Sequence, residues 1–460
     1  MNSAPLILYF FTVLVWLTGL FVVQRKDLRI VRWLSAGFGV LIFSAAVWTA
    51  VICADGSTTV SWSREWIPST SASIFMSFEF NRFRSLLLVL VLAVLGIYFT
   101  CKQPSKRSAE FIVMPLYAAA LAIGIGSQNL IFTLLAIMMC SLNGFISLAF
   151  NSDNDGNKSQ ASFKFITLGV FSTMLIFIAI LGVQLSCPSL DYEQILDNKN
   201  TAPSWVSFCL LAGAMLFTSQ VVFFGSNRSL GMAGNMAAPV AATQAVLMGL
   251  LMNRVLPLLS LNEGLAWLGL VCALSSLAAA VQALVEREES FFTGLFGIHA
   301  LSSLFLSICF GLPAAGVIST FAFVPAVCAL ALYSRQFVAG FSNLKILFVA
   351  ALLMSLGVPF SFLGWARLAE YQGYFADQSQ FTDITLFYLK WISVGLKILA
   401  DLVFFSALWG LLFDIVRAIK KTRRPEKENA LKIAAGTLLL LLSLSVFAGG
   451  PLLGGLIGAI

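Results

Sequence analysis

Apolar runs long enough to cross a bilayer recur along the whole chain. A crossing needs about 20 mostly apolar residues, and lipid offers no partners to exposed backbone groups, so such runs must fold as helices. We predict an all-α polytopic membrane protein with about fourteen crossings, although 291–333 could hold one helix more or fewer. The predicted spans lie near 5–24, 31–53, 83–100, 109–126, 129–150, 163–186, 205–224, 236–258, 264–284, 291–311, 313–333, 343–366, 384–415 and 431–459.

The balance of residue types excludes most soluble enzymes. Hydrophobic residues make up 59% of the 460 and charged residues only 11%, whereas about a quarter of a soluble domain is charged. Retention of Lys and Arg in cytoplasmic loops explains the net charge of +7, so we predict no nucleic-acid partner. Because no loop is long enough for a globular domain, we expect a single transmembrane domain over 1–460.

Basic residues alternate from loop to loop. With the loops numbered in order, 20 of the 28 Lys and Arg residues fall in odd loops and their flanks, six fall in even ones, and two lie inside a span. Positive charge marks the cytoplasmic side. We therefore predict cytoplasmic odd loops and both termini on the outer side of a bacterial cytoplasmic (inner) membrane.

Three prolines predict interrupted helices. Pro239 opens the eighth span, Pro325 lies inside the eleventh, and Gly357 and Pro359 break the twelfth. A proline removes a backbone donor and kinks a helix, and ion transporters place such breaks near the midplane. A simple packing kink is the alternative at each position.

A few ionisable residues fall within the predicted spans, where they are functional candidates by default. Lys390, Lys397 and Asp401 share one helical face, and the last two are four residues apart and can pair. They form either a proton or cation path or a structural ion pair, and Lys390 could instead reach the outer surface. Arg367 is predicted to be embedded. His299 is either a proton shuttle or a hydrogen-bonded core residue.

Other chemistry has little support in the sequence. The eight cysteines are scattered without a C-x-x-C pair, and His299 is the single histidine, so we predict no metal and no cofactor. No nucleotide-binding or nucleophile motif is present, and the outer loops lack the acidic cluster of a membrane glycosyltransferase. We therefore predict no catalytic site in this chain, although it could belong to a proton-translocating oxidoreductase.

The last span carries small residues at helical spacing. Gly450, Gly454 and Gly458 are four residues apart, a spacing that lets two helices approach closely. We expect this stripe to pack against another helix, within the chain or in a partner.

Several segments resemble a known family in their order and spacing. They are Trp66–Pro68 followed by Phe78–Asn81, Asn129–Phe145, Phe163–Ser172, Ala238–Ala242 and Gly357–Arg367. The chain resembles the antiporter-like subunits of respiratory complex I (its L, M and N chains) and of Mrp-type cation/proton antiporters. The resemblance implies two inverted five-helix repeats with broken helices, here at 109–258 and 264–415. It also implies ion pumping by lysines and a glutamate near the midplane.

The chain departs from this family at most of the pumping positions. Only Arg367 carries a basic group at an expected lysine. The other expected charges fall on Met138 (glutamate), Phe217 or Thr218 (lysine), Leu247 or Leu251 (lysine), Phe224 (histidine) and the region of Val324 (lysine).

These departures leave two readings within the family. We expect a membrane subunit of a multi-subunit proton- or cation-translocating complex, embedded in lipid beside other membrane subunits, with a degenerate ion path and a largely structural role. The second reading is a rearranged path through Arg367, Lys390, Lys397, Asp401 and His299. An ion-coupled subunit of an inorganic-carbon uptake system, or a stand-alone secondary transporter or flippase, remains an alternative.

Overall fold

A computed structural model gives the architecture. It describes residues 4–22, 28–55, 58–67, 74–101, 109–150, 156–187, 189–197, 203–218, 237–255, 263–285, 289–310, 323–324, 327–328, 367–368, 370–372, 374–375 and 384–421. Three of the features predicted from sequence lie outside these ranges: the break at Gly357 and Pro359, Pro325, and the stripe formed by Gly450, Gly454 and Gly458.

The described chain is mainly helical. Its helices are α1 (Ala4–Val22), α2 (Leu28–Ile52), α3 (Arg82–Cys101), α4 (Ala109–Gly126), α5 (Leu130–Phe150), α6 (Gly156–Ser186), α7 (Tyr192–Asp197), α8 (Ser204–Phe217), α9 (Ala237–Val255), α10 (Glu263–Val285), α11 (Glu289–Cys309) and α12 (Ile384–Lys421). Pro239 lies in the first turn of α9, where its missing N–H costs no helical hydrogen bond.

Six helices of the described chain are long and apolar enough to cross a membrane. Three further apolar helices, Val113–Gly126, Ser204–Phe217 and Gly294–Cys309, are shorter. Together they establish a multi-pass helical membrane protein. The six longer spans are Ile30–Ile52, Arg82–Phe99, Leu130–Ala149, Ser162–Ser186, Gly264–Val285 and Ile384–Gly410.

A β-hairpin occupies the segment that the sequence analysis treated as an irregular loop. Strands β1 (Val60–Ile67) and β2 (Ile74–Phe80) pair antiparallel, with a register shift between Glu65 and Ile67. Apolar and polar residues alternate along the start of β1, which suits a strand with one covered face. On that face Trp62 stacks on Phe78, with ring centroids 6.3 Å apart.

The chain divides into two compact units. Unit 1 comprises residues 1–99, 103–217 and 250–260, and unit 2 comprises 100–102, 218–249 and 261–460. In unit 1, α4 packs against α1, α2 and α5, while α6 lies between α5 and α8. In unit 2, α10 packs against both α11 and α12.

Glycine allows the close approach of α6 and α8. A Cβ on Gly213 would come within 2.7 Å of Ile176 Cγ1 and 3.0 Å of the Ser172 carbonyl oxygen. Because that space is free, the Ser172 hydroxyl donates to the carbonyl of Gly213 at 2.7 Å. A hydrogen bond between helices therefore joins two otherwise apolar surfaces.

Candidate functional site: a buried charge cluster in unit 2

The carboxylate of Asp401 is the centre of a polar cluster inside unit 2. It lies on α12, one turn after Lys397, whose Nζ is 2.6 Å from Asp401 Oδ1. The Lys397 side chain is only 2% exposed and that of Asp401 18%. The pairing predicted from the four-residue spacing is confirmed.

A histidine on α11 contacts the same carboxylate oxygen. His299 Nε2 lies 2.8 Å from Asp401 Oδ1, and its Nδ1 lies 2.8 Å from the hydroxyl of Ser276 on α10. The imidazole stacks on Phe404, with centroids 4.4 Å apart and planes 6° from parallel. The ring is thus held by both nitrogens and one face, as expected for a hydrogen-bonded core histidine.

The helical segment around residues 367–375 supplies two more donors. Arg367 Nη1 is 2.7 Å from Asp401 Oδ1, and the Tyr371 hydroxyl donates to Asp401 Oδ2. Arg367 and Tyr371 are four residues apart, so one helical face presents both groups. The Arg367 side chain is 14% exposed, so most of it is enclosed by protein.

The donors around Asp401 crowd onto one oxygen of its carboxylate. An ionised carboxylate has about four lone-pair positions on its two oxygens. Three donors reach Oδ1 and one reaches Oδ2. Because an ionised carboxylate only accepts, the adjoining His299 Nε2 carries the hydrogen of that contact, and in the neutral ring Nδ1 accepts from Ser276.

A second carboxylate, missed in the sequence, adjoins this centre. Glu370 is 2% exposed, and its Oε1 accepts from the Tyr374 hydroxyl at 2.7 Å. Arg367 and Lys397 both act on it electrostatically. Two basic side chains, Arg367 and Lys397, therefore lie near two carboxyl groups, those of Asp401 and Glu370.

The order Ser276–His299–Asp401 invites comparison with a hydrolytic triad. Ser276 is fully buried, whereas a nucleophile must reach its substrate. The carboxylate is also shared with Arg367 and Lys397, rather than reserved for the histidine. We therefore read the three residues as part of the hydrogen-bonded core. Among the residues that the structure describes, no group of three His, Cys, Asp or Glu side chains could hold a metal ion.

The other sequence-predicted positions differ in their burial. Lys390 is 2% exposed, so its side chain is enclosed by protein. Met138, where the resemblance implies a glutamate, is 50% exposed. That position is therefore not enclosed by protein. Leu247, Leu251 and Val324 are fully buried apolar side chains; the resemblance implies a lysine at Leu247 or Leu251 and another near Val324.

Arg254 is a buried cation near the C-terminal end of α9, which the count of basic residues included among the six of the even loops and their flanks. It is 8% exposed, and its guanidinium donates to the carbonyls of Gly124 at 3.0 Å and Ile125 at 2.6 Å. These carbonyls lie in the last turn of α4, where the helix dipole favours a cation. The ring of Tyr192 lies 4.9 Å from the guanidinium carbon.

Polar contacts also tie several connecting segments together at this end of unit 1. Asp191 Oδ1 accepts from Ser77 at 3.2 Å and from Asn129 Nδ2 at 3.0 Å. Isolated β-bridges join Phe78 to Ser127 and Asn129 to Asp191. The hairpin, the α4–α5 turn and the residues before α7 therefore meet at one end of unit 1, together with the C-terminal end of α9.

Comparison with known proteins bears on the fold. No protein-family model and no curated protein sequence matches the chain. Among solved structures, it aligns with a chain of the membrane-bound sulfane sulfur reductase, an archaeal respiratory membrane complex. The TM-score is 0.80 at 14% identity, over 99% of this chain and 96% of the other.

Two further matches come from different complexes. Respiratory complex I from Thermus thermophilus gives a TM-score of 0.71 at 14% identity, covering 99% of this chain and 98% of that one. The Mrp complex from Dietzia sp. DQ12-45-1b gives 0.73 at 14% identity, with 99% of this chain on 51% of that one. This chain has the fold of the antiporter-like subunits. The antiporter-like fold predicted from sequence is thus confirmed, and the chain spans about half of its Mrp match.

Proposed function

We propose that the chain is a membrane subunit of a multi-subunit proton- or cation-translocating complex, in which it has a mainly structural role. The observation that carries the proposal is the set of donors on the carboxylate of Asp401. Arg367, Lys397 and His299 share Oδ1, and the Tyr371 hydroxyl binds Oδ2. A carboxylate held by an arginine and a lysine is poorly suited to take up a proton, because protonation would weaken its bonds to both cations.

The identity of the cations also favours a structural ion pair over a proton path. Arginine stays protonated under any physiological condition, so Arg367 cannot replace the function of a pumping lysine. Lys397 donates to the same oxygen as Arg367, so one carboxylate oxygen holds two charged groups in place. Apolar Leu247 and Leu251 at the expected lysine positions support a degenerate path.

The proposal includes the finer topology expected from sequence: fourteen crossings, inverted repeats at 109–258 and 264–415, and both termini outside the bacterial cytoplasmic membrane. Its structural support is the meeting of the hairpin, the α4–α5 turn, the segment before α7 and the end of α9. All of these belong to even-numbered loops, which alternation of crossings would put on one side.

One observation favours a second candidate, an active ion path. Ser276, His299, Asp401 and Tyr371 form a continuous hydrogen-bonded chain across α10, α11, α12 and the 367–375 segment. A chain of this kind can conduct a proton if its members can reorient. The two candidates predict different effects when one cluster residue is lost. A structural role predicts loss of assembly, whereas an ion path predicts loss of ion flux.

Purification of the tagged chain from native membranes, followed by identification of stoichiometric partners, tests the proposal. We expect other membrane subunits of an ion-translocating complex, and a stable lone monomer would contradict it. Lys397→Ala is the second arm. The structural reading expects loss of assembly, whereas normal assembly with abolished ion flux would establish the path reading.

A further inference from the structure

A buried amide in unit 1 has no partner for any of its hydrogen-bonding atoms. Asn143 on α5 is 0% exposed, and within the described structure neither its Oδ1 nor its Nδ2 is hydrogen-bonded. An amide offers two donor hydrogens and two acceptor lone pairs. Leaving all of them unmet inside a helix bundle is costly, so an unbonded Asn143 requires an explanation.

Helical geometry turns Asn143 toward α4. Cys140 and Ser147 lie one turn before and after it on the same face of α5. Both interact with Tyr117 of α4, the first electrostatically and the second through its hydroxyl at 3.4 Å. Asn143 therefore lies between two residues that flank a fully buried phenol.

The direction of the hydroxyl bonds shows what the phenol still lacks. Ser147 gives its single hydrogen to the carbonyl of Asn143 at 2.7 Å, so the bond between Tyr117 and Ser147 uses the hydrogen of Tyr117. The phenol oxygen is then free to accept. The side-chain nitrogen of Asn143 donates but lies beyond direct bonding distance of it, and a small molecule that both accepts and donates would join them.

We propose that the space between Asn143 and Tyr117 is a hydration site that holds an ordered water molecule. The water accepts from Asn143 Nδ2 and donates to the Tyr117 hydroxyl oxygen. Water is the ligand chemistry that fits, because the group must be small, uncharged and able to bond both ways. Residues around the site are polar but not ionisable at neutral pH, so it adds no charge to the membrane interior.

The site is chemically unlike the charge cluster of unit 2. Charged side chains surround Asp401, whereas the side chain of Asn143 is uncharged. The inference rests on these contacts alone and is independent of the proposed function. It concerns a different unit, so either can fail without the other.

Hydroxyl-radical labelling with a short X-ray pulse tests the site, because radiolysis of a bound internal water modifies the side chains next to it. The intact protein in its native complex is used. Cys140 lies beside the site and Cys272 is an equally buried thiol in unit 2. We expect Cys140 to be oxidised about tenfold faster than Cys272, together with modification of Tyr117.

Two variants separate the site from general hydration. Asn143→Leu is close in volume and removes the donor, so the Cys140 rate should fall to that of Cys272. Ser186→Ala removes a hydroxyl of α6 that already donates to the carbonyl of Gly182 at 3.1 Å and should leave the Cys140 rate unchanged. Equal labelling of Cys140 and Cys272 in the unmodified protein would overturn the proposal, even if neither variant folds.

Discussion

Replacing Asp401 by asparagine is the sharpest perturbation of the charge cluster. The amide keeps the size and shape of the carboxylate but removes its charge. Two cations, Arg367 and Lys397, then lose the carboxylate that they now approach at 2.7 and 2.6 Å. The amide nitrogen also presents hydrogens to neighbours that are themselves donors, so rotation of the side chain cannot restore all four bonds.

The size of the effect follows from burial. Removing one partner of a buried ion pair costs about 3–5 kcal/mol, because the remaining charge is left uncompensated. Asp401 is 18% exposed, and Glu370 offers a second carboxylate nearby, so the lower end applies. We therefore expect Asp401→Asn to cost about 3 kcal/mol, which is roughly a hundredfold in the folding equilibrium.

The assay is the thermal unfolding midpoint of the purified chain, read beside its abundance in membranes. Asp401→Asn should lower both, and adding Lys397→Met should recover part of the loss because one unpaired cation is removed. Glu79→Gln is the control, since Glu79 lies 3.9 Å from Arg84 in a partly exposed pair and should cost under about 1 kcal/mol. An Asp401→Asn protein with the unfolding midpoint and membrane abundance of the original chain would refute the stabilising role of the charge cluster.

Three further predictions concern packing, capping and orientation. Arg254→Gln should lower the unfolding midpoint by the equivalent of about 2 kcal/mol, since a charged donor at the end of α4 is lost. Gly213→Ala should cost about 1–3 kcal/mol by pushing α8 from α6, whereas Gly395→Ala, which meets nothing within 4 Å, should stay within about 0.5 kcal/mol; equal midpoints for the two variants would remove the steric argument. In a cysteine-free chain, an impermeant maleimide should label Ser63→Cys in intact cells and Lys164→Cys only after permeabilisation, and the reverse pattern would invert the topology.

Local spacing made part of the site predictable. The pairing of Lys397 with Asp401 follows from four residues on one helix, which needs no knowledge of the fold. The meeting of His299 and Arg367 on the same carboxylate does not follow from spacing. These residues lie on separate helical segments, and their contact depends on how the helices pack in unit 2.

Other features were missed because hydropathy and loop charge are properties of whole segments, not of single side chains. Counting basic residues by loop placed Arg254 outside, since it follows a long apolar run. Its side chain instead folds back to the carbonyl end of α4, a partner remote in sequence. The hairpin was missed because a hydropathy scan treats everything between spans as loop, although the alternation from Val60 onward was a usable signal.

Charge balance explains why the cluster is hard to read from sequence as either a path or a scaffold. Arg367, Lys397 and Asp401 alone would leave one uncompensated cation in the membrane interior, which suggests a mobile or exchangeable ion. Glu370 places a second carboxyl group near these cations, on the same short segment that supplies Arg367. Moving Arg367, Lys397 or Asp401 through the membrane would first require breaking a buried contact. Under the proposed structural role, these residues together hold α12 against the 367–375 segment.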